Sequence, residues 1–150
     1  STAIEADVAE ILALQKLAYQ SEAELYNDYT IQPLVQDDLS LSEEFKTGTL
    51  LKATIDQQII GSVRATVKDD TCYIGKLIVS PEHQNKGIGK QLMKAIEEIY
   101  KDAARYELFT GDQSVKNMAL YERLGYEIFN HKIINEHLTM VFMRKMKMEV

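Results

Sequence analysis

Two glycines one residue apart, Gly87 and Gly89, stand between an apolar strand-like run from Cys72 to Val79 and a long helical pattern. Glycine lets the backbone come close to a ligand, and the first N–H groups of a helix have no helical partner, so they point at whatever lies there. The helix dipole adds roughly half a positive charge at that end, and a phosphate or pyrophosphate is the natural guest. Lys86 and Lys90 flank the glycines and add to the positive field. Two common phosphate loops fail on residues. A Walker A loop needs Gly-Lys-Ser/Thr with another glycine five residues before the second one, but Gln91 follows Gly89-Lys90 and Gln84 stands at the earlier place. A dinucleotide fingerprint needs a third small residue where this chain has Leu92.

The pattern present is Gln84-x-x-Gly87-x-Gly89 after a strand ending Leu77-Ile78-Val79-Ser80-Pro81. It resembles the acetyl-CoA motif of the GNAT superfamily of N-acetyltransferases. A second stretch, from Ser114 through Asn117 and Tyr121 to Gly125-Tyr126, is similar to the other signature of that superfamily, a helix carrying Asn and Tyr that ends in Gly-Phe or Gly-Tyr. The order and spacing of the two also match, and the resemblance runs from about Leu50 onward. It implies an α/β (α+β) architecture with a mixed central β-sheet flanked by helices, and one N-acetyltransferase domain over residues 1–150.

Composition sets outer limits. A chain of 150 residues buries most of a core without disulfides or metals. The single cysteine, Cys72, falls in the apolar strand and reads as a reduced core residue. The three histidines have no spacing that suggests a metal site. No apolar run approaches membrane-span length and no signal peptide is visible, so a cytoplasmic protein without membrane contact is expected. The net charge of −6 is uneven, with three Lys/Arg against eleven Asp/Glu in residues 1–60 and fourteen against twelve afterwards. The mildly basic later part suits a polyphosphate-bearing cofactor, while the acidic first part argues against nucleic acid and for a cationic acceptor such as an amine.

The elements that must position these residues follow from periodicity. Asp7 is placed to cap a helix to about Gln20 with Ile11, Leu14, Leu17 and Ala18 on its apolar face. A second helix ends near Tyr26 and Tyr29, with Gln32-Pro33 extended after it. Leu39 to Thr47 reads as a short acidic helix capped by Ser40 or Ser42. Strands are expected over Leu50 to Ile55, Ile59 to Val67 and Cys72 to Val79, joined by short turns into a meander. The glycine-led helix carries Ile88, Leu92, Ile96, Ile99 and Ala103 inward and Lys90, Lys94, Glu97, Glu98 and Lys101 outward. Arg105 to Thr110, Tyr126 to Asn130 and Leu138 to Lys147 complete the strands, and Gly125 ends the Tyr121 helix. The superfamily's usual first strand is absent, very short, or built from Ser1 to Ile4. Met140, Met143, Met146 and Met148 read as core or subunit-contact residues, which leaves room for a homodimer.

What the resemblance implies about chemistry is specific. Acetyl-CoA, as cosubstrate, lies where the strand ending at Val79 and the strand ending at Thr110 diverge. Its pantetheine arm pairs with backbone groups of Leu77, Ile78 and Val79. Its pyrophosphate is received by backbone N–H groups within Gln84, Asn85, Lys86, Gly87, Ile88, Gly89 and Lys90, and Asn117 contacts it from the other side. Tyr121 is the expected acid that protonates the departing CoA thiolate, and an N–H of a bulged strand position near Val79 polarises the thioester carbonyl. A primary amine of a small molecule or peptide attacks directly in a ternary complex. Many members carry a strand acid six or five positions before the proline, where this chain has Gly75 and Lys76. The general base is therefore unassigned, with Glu22, Glu24 and Asp28 as candidates. The competing reading is a non-catalytic acyl-CoA-binding module.

Overall fold

The computed structural model describes residues 1–26, 31 and 36–146. The expectations placed on Asn27, Asp28, Tyr29, Gln32-Pro33, Lys147 and Met148 lie outside the described residues.

A short 3₁₀ turn, Glu5–Asp7, leads into α1 (Val8–Ala18), α2 (Gln20–Tyr26) and α3 (Asp38–Thr47). The meander follows as β1 (Thr49–Ile55), β2 (Gln58–Lys68) and β3 (Thr71–Val79). Then come α4 (Ile88–Ile99), β4 (Arg105–Gly111), α5 (Val115–Arg123), β5 (Glu127–Ile133) and β6 (Thr139–Met146). The six strands form one mixed sheet in the order β1-β2-β3-β4-β6-β5. Only β3 and β4 run parallel.

Both meander turns are two-residue turns. Asp56 and Gln57 have φ of 51° and 67°, and Asp69 and Asp70 have 52° and 64°. Positive φ at both central positions is the turn geometry whose twist matches paired strands, and aspartate tolerates it better than most residues. The superfamily's first strand survives as a fragment: Thr2 bridges Leu51, Ala3 N–H donates to Leu50 O, and Lys52 N–H donates to Ser1 O, both at 2.8 Å.

The sheet is covered on both faces. Ala3, Val8, Ile11, Leu12, Leu14, Leu41, Leu50, Ile59 and Ile78 form one buried cluster with α1 and α3. Leu92, Met93 and Ile96 of α4 pack on Val63, Ala65, Cys72, Ile74 and Met143 on the other face. Burial pushes the Cys72 thiol up to about 12, helped by the Glu97 carboxylate, so it stays protonated.

Four details differ from the sequence reading. Asp7 does not cap α1; its carboxylate accepts from the Ile4 N–H at 2.9 Å and pairs with Lys52 at 2.7 Å. The cap of α3 is Asp37, whose Oδ1 accepts from the Ser40 N–H at 2.8 Å; aspartate offers a charged acceptor where Ser40 itself lies one turn too far along. The helix after the glycines stops at Ile99, which is exposed, while Ala103 is buried beyond its end. Glu97 does not face solvent: it accepts from Tyr126 Oη at 3.0 Å and Lys145 Nζ at 2.8 Å, because α4 lies over β6 there.

Candidate active site

β3 and β4 pair only at Thr71–Arg105, Cys72–Tyr106 and Tyr73–Glu107. Beyond Tyr73 the two strands separate, so β3 keeps its β2 partner on one side and, among the described residues, has no ladder partner toward β4. The gap opens into a cleft of about 860 Å³. Its walls include Ile74 to Leu77 of β3, Leu108 to Gly111 of β4, Asn117 and Tyr121 of α5, and Tyr19, Tyr26, Glu44 and Arg64 on the α1–α3 side.

A bulge shapes the β3 wall. Ser62 pairs with Ile78 and Arg64 with Gly75, so Val63 faces two residues, Lys76 and Leu77. Lys76 has φ of 47°, a left-handed conformation that costs a side-chain-bearing residue free energy. The extra residue flips the alternation of the strand. Ile74 joins the α4-side cluster, whereas Ile78, four positions on, joins the α1-side cluster. The bulge was expected near Val79 and lies three residues earlier. The reason is that Ile74 and Ile78 must bury on opposite faces, and the change of face has to fall between them.

The loop leads into α4, whose Gly89 lies against Leu77 of the cleft wall. Gln84 Nε2 donates to Val79 O at 3.3 Å, Asn85 has φ of 65° and Gly87 has φ of 82°. Gly87 is the N-cap of α4, makes no side-chain cap, and no acidic residue occupies the first turn. The first-turn N–H groups therefore keep an outward, uncompensated positive end. Gly89 differs from Gly87: a Cβ there would make ordinary contact with Leu120, Leu77 and Val79 at 3.4–3.8 Å. Positive φ thus explains glycine at 87 and not at 89.

The structure brings Leu77, Asn117 and Tyr121 into the cleft lining. Gln84, Asn85, Lys86, Gly87 and Lys90 are exposed and Ile88 and Gly89 half-buried, and none of these seven is among the residues lining the cleft. The Ile78 side chain turns away into the α1 cluster, which leaves its backbone for any contact. Tyr121 is buried and its ring lies 6.1 Å from that of Tyr126. Tyr126 is held in turn by Glu97, and burial together with that carboxylate keeps its hydroxyl protonated. Gly125, at φ of 99°, lets the chain reverse so that Tyr126 N–H reaches Tyr121 O at 3.0 Å. Tyr26 closes the β4 end: Gln113 N–H donates to its hydroxyl at 2.7 Å, and Gly111 is glycine because a Cβ would collide with that ring. Of the candidate bases, Glu24 is exposed on α2, and Asp28 and the Glu22 side chain are outside the described residues.

Sequence reasoning missed a polar cluster on the α1–α3 side of the cleft. Arg64 reaches Glu44 and Gln15, Gln15 Nε2 donates to Gln36 Oε1 at 2.9 Å, and Lys76 Nζ donates to Gln36 Oε1 at 2.9 Å and Glu44 Oε1 at 3.4 Å. The only signal in the chain was a lysine at a position where a carboxylate was expected. Burial, and next the Arg64 charge, bring the Lys76 ammonium down to about 8. The cationic neighbours and their hydrogen bonds keep Glu44 ionised, against the opposing effect of its burial. Glu44 accepts from Arg64 and Lys76, and Lys76 donates to Gln36 and Glu44.

A Lys76 ammonium that ionises near 8 in the fold and near 10.5 in the unfolded chain destabilises fully below pH 8. As pH rises from about 8 to 10.5 the unfolded chain binds the extra proton, so stability increases through that window. Urea unfolding at pH 7 and pH 10.5 should show the parent gaining roughly 3 kcal/mol more than Lys76→Met does. Equal gains would mean that Lys76 is not held against its charge.

A family model described as the acetyltransferase (GNAT) family matches residues 8–126. Among curated proteins, UPF0157 protein YqkA of Bacillus subtilis is 29% identical over 126 residues, which is 82% of this chain and 36% of that protein. The chain therefore spans about a third of the length of that relative. The crystal structure of the ribosomal-protein-S18-alanine N-acetyltransferase from Escherichia coli matches with a TM-score of 0.82 at 13% identity, over 100% of this chain and 94% of that one. PaiA N-acetyltransferase from Thermoplasma acidophilum, solved in complex with coenzyme A, matches with a TM-score of 0.78 at 16% identity, over 97% and 96%. With one family model covering most of the 150 residues, the chain belongs to the acetyltransferase (GNAT) family.

Proposed function

We propose that this domain transfers the acetyl group of acetyl-CoA to a primary amine of a small molecule or peptide, by direct attack within a ternary complex. One observation carries the reading: the unpaired β3 edge beyond Tyr73 and the Tyr121 wall line one cleft, and the open α4 N-terminus adjoins the Leu77 wall of that cleft through Gly89. An extended amide chain such as pantetheine fits the free edge of β3 at Leu77, Ile78 and Val79, because a strand edge offers alternating N–H and C=O groups. The pyrophosphate fits the N–H groups from Gln84 to Lys90, where the dipole and the two lysines favour anions. Asn117 lines the facing wall.

The cosubstrate supplies an activated acyl group with a thiolate leaving group. A thiol ionises near 8.5 and a tyrosine near 10, so Tyr121 carries a proton at neutral pH and gives it to that thiolate as the C–S bond breaks. The amine must arrive neutral, and its proton leaves to solvent entering the open cleft. The absence of a strand carboxylate at Gly75 and Lys76 is what favours the second reading, an acyl-CoA-binding module without turnover.

The test has two steps. Acetyl-CoA at about a hundred times its dissociation constant should stabilise the fold by roughly 2.7 kcal/mol, read as a thermal shift. Free thiol release across a panel of amines, polyamines and N-terminal peptides then separates transfer from binding alone. No shift at millimolar acetyl-CoA with folded protein sinks the cofactor assignment.

A further inference from the structure

Among the described residues, the ionisable side chains lining the cleft, tyrosines aside, are Arg64, Lys76, Lys132 and Glu44. A chain with a net charge of −6 thus presents three cations and one carboxylate to its own cleft. The pantetheine arm is uncharged and the pyrophosphate belongs at the α4 mouth, so this excess is not explained by the cosubstrate. Glu44 is shared between Arg64 and Lys76, which leaves the pair one positive charge in excess. Arg64 Nε is buried and finds no acceptor among the described residues. Next to Lys76, a Cβ built on Gly75 meets nothing within 4 Å, so there is room on the cleft wall. Lys76 also sits at a strained left-handed φ and beside a like charge; costs of that kind concentrate where a group serves a ligand.

We propose that the Arg64–Lys76 side of the cleft binds a carboxylate of the acceptor, so that the acceptor is an amino-acid-like molecule bearing both an amine and a carboxylate. This rests on the transferase reading and narrows its substrate class. A buried guanidinium and an ammonium recognise a carboxylate through charge-assisted hydrogen bonds, and the same charges repel a polyamine. The expectation of a cationic acceptor such as an amine, drawn from the acidic first part of the chain, is narrowed to an amine that also carries a carboxylate, and Glu44 of that part is engaged internally.

Product mimics differing only in charge test this. N-acetylglycine and N-acetylglycinamide are titrated into CoA-loaded protein at pH 7, followed by calorimetry or NMR. The carboxylate is expected to bind at least tenfold more tightly, and the preference to fall below threefold in Lys76→Met. Lys76→Gln replaces that variant should it not fold, while Arg64 is left intact because its loss strands Glu44 and Gln15. Equal affinities, a preference for the amide, no detectable binding of either at tens of millimolar, or a preference untouched by both variants overturns the inference. CoA binding retained alongside any of these results leaves the transferase reading standing. Failure of CoA itself to bind removes both.

Discussion

Tyr121→Phe is expected to lower kcat by roughly 10²-fold or more, the usual range for a positioned acid, while the acetyl-CoA dissociation constant stays within about a factor of three. The substitution keeps the ring that packs 6.1 Å from Tyr126 and keeps the backbone contact to the Tyr126 N–H. Only the hydroxyl is lost. A group that acts on charge developing as the thioester breaks affects the transition state and hardly the bound ground state. Steady-state rates and a direct acetyl-CoA titration, taken side by side with one competent acceptor, decide the matter. A loss confined to affinity reassigns Tyr121 to cofactor packing. A kcat close to the parent means that water or another residue is the acid.

Gly89→Glu should weaken acetyl-CoA by roughly 10²-fold, about the worth of one or two charge-assisted hydrogen bonds, without unfolding the protein. The fold tolerates it because the φ at Gly89 is not in the left-handed region and its Cβ has ordinary contacts. A carboxylate in a first helical turn is even mildly favourable to the free protein, by about 0.3–1 kcal/mol. With the pyrophosphate at the proposed helix start, the same carboxylate repels it. Gly87→Ala probes the other glycine: at φ of 82° with open space around it, alanine costs about 1 kcal/mol of backbone strain and no steric clash. The measurement is the thermal shift with acetyl-CoA for each variant against its own apo midpoint. An undiminished shift in Gly89→Glu would place the anion elsewhere.

Local patterns carried far in this chain. The meander, the glycine-led helix and the Gly125 stop were readable because each depends on residues within one turn or one hairpin. The motif residues Gly87, Asn117 and Tyr121 were readable for the same reason, each standing at a set distance from a helix end. The capping of α3 by Asp37 and the inward Glu97 were missed at the same scale. For Glu97 the deciding partners, Tyr126 and a lysine of β6, lie off the window being read, whereas Asp37 caps an N–H only three residues on, and serines inside the helix were read as the cap in its place.

Sequence by itself determined the family, the class of fold and a glycine-led helix start with no acidic residue in its first turn, since short-range backbone geometry and side-chain type dictate these. Only the tertiary structure decided the polar side of the cleft. Gln15, Gln36, Glu44, Arg64 and Lys76 come from α1, the segment before α3, α3, β2 and β3, and no periodicity links them. They meet because the β3 bulge turns Lys76 toward the α1–α3 face, and that bulge exists because Ile74 and Ile78 bury on opposite sides of the sheet. Burial in two separate cores is a property of the whole packed molecule, and a single strand read alone has no way to register it.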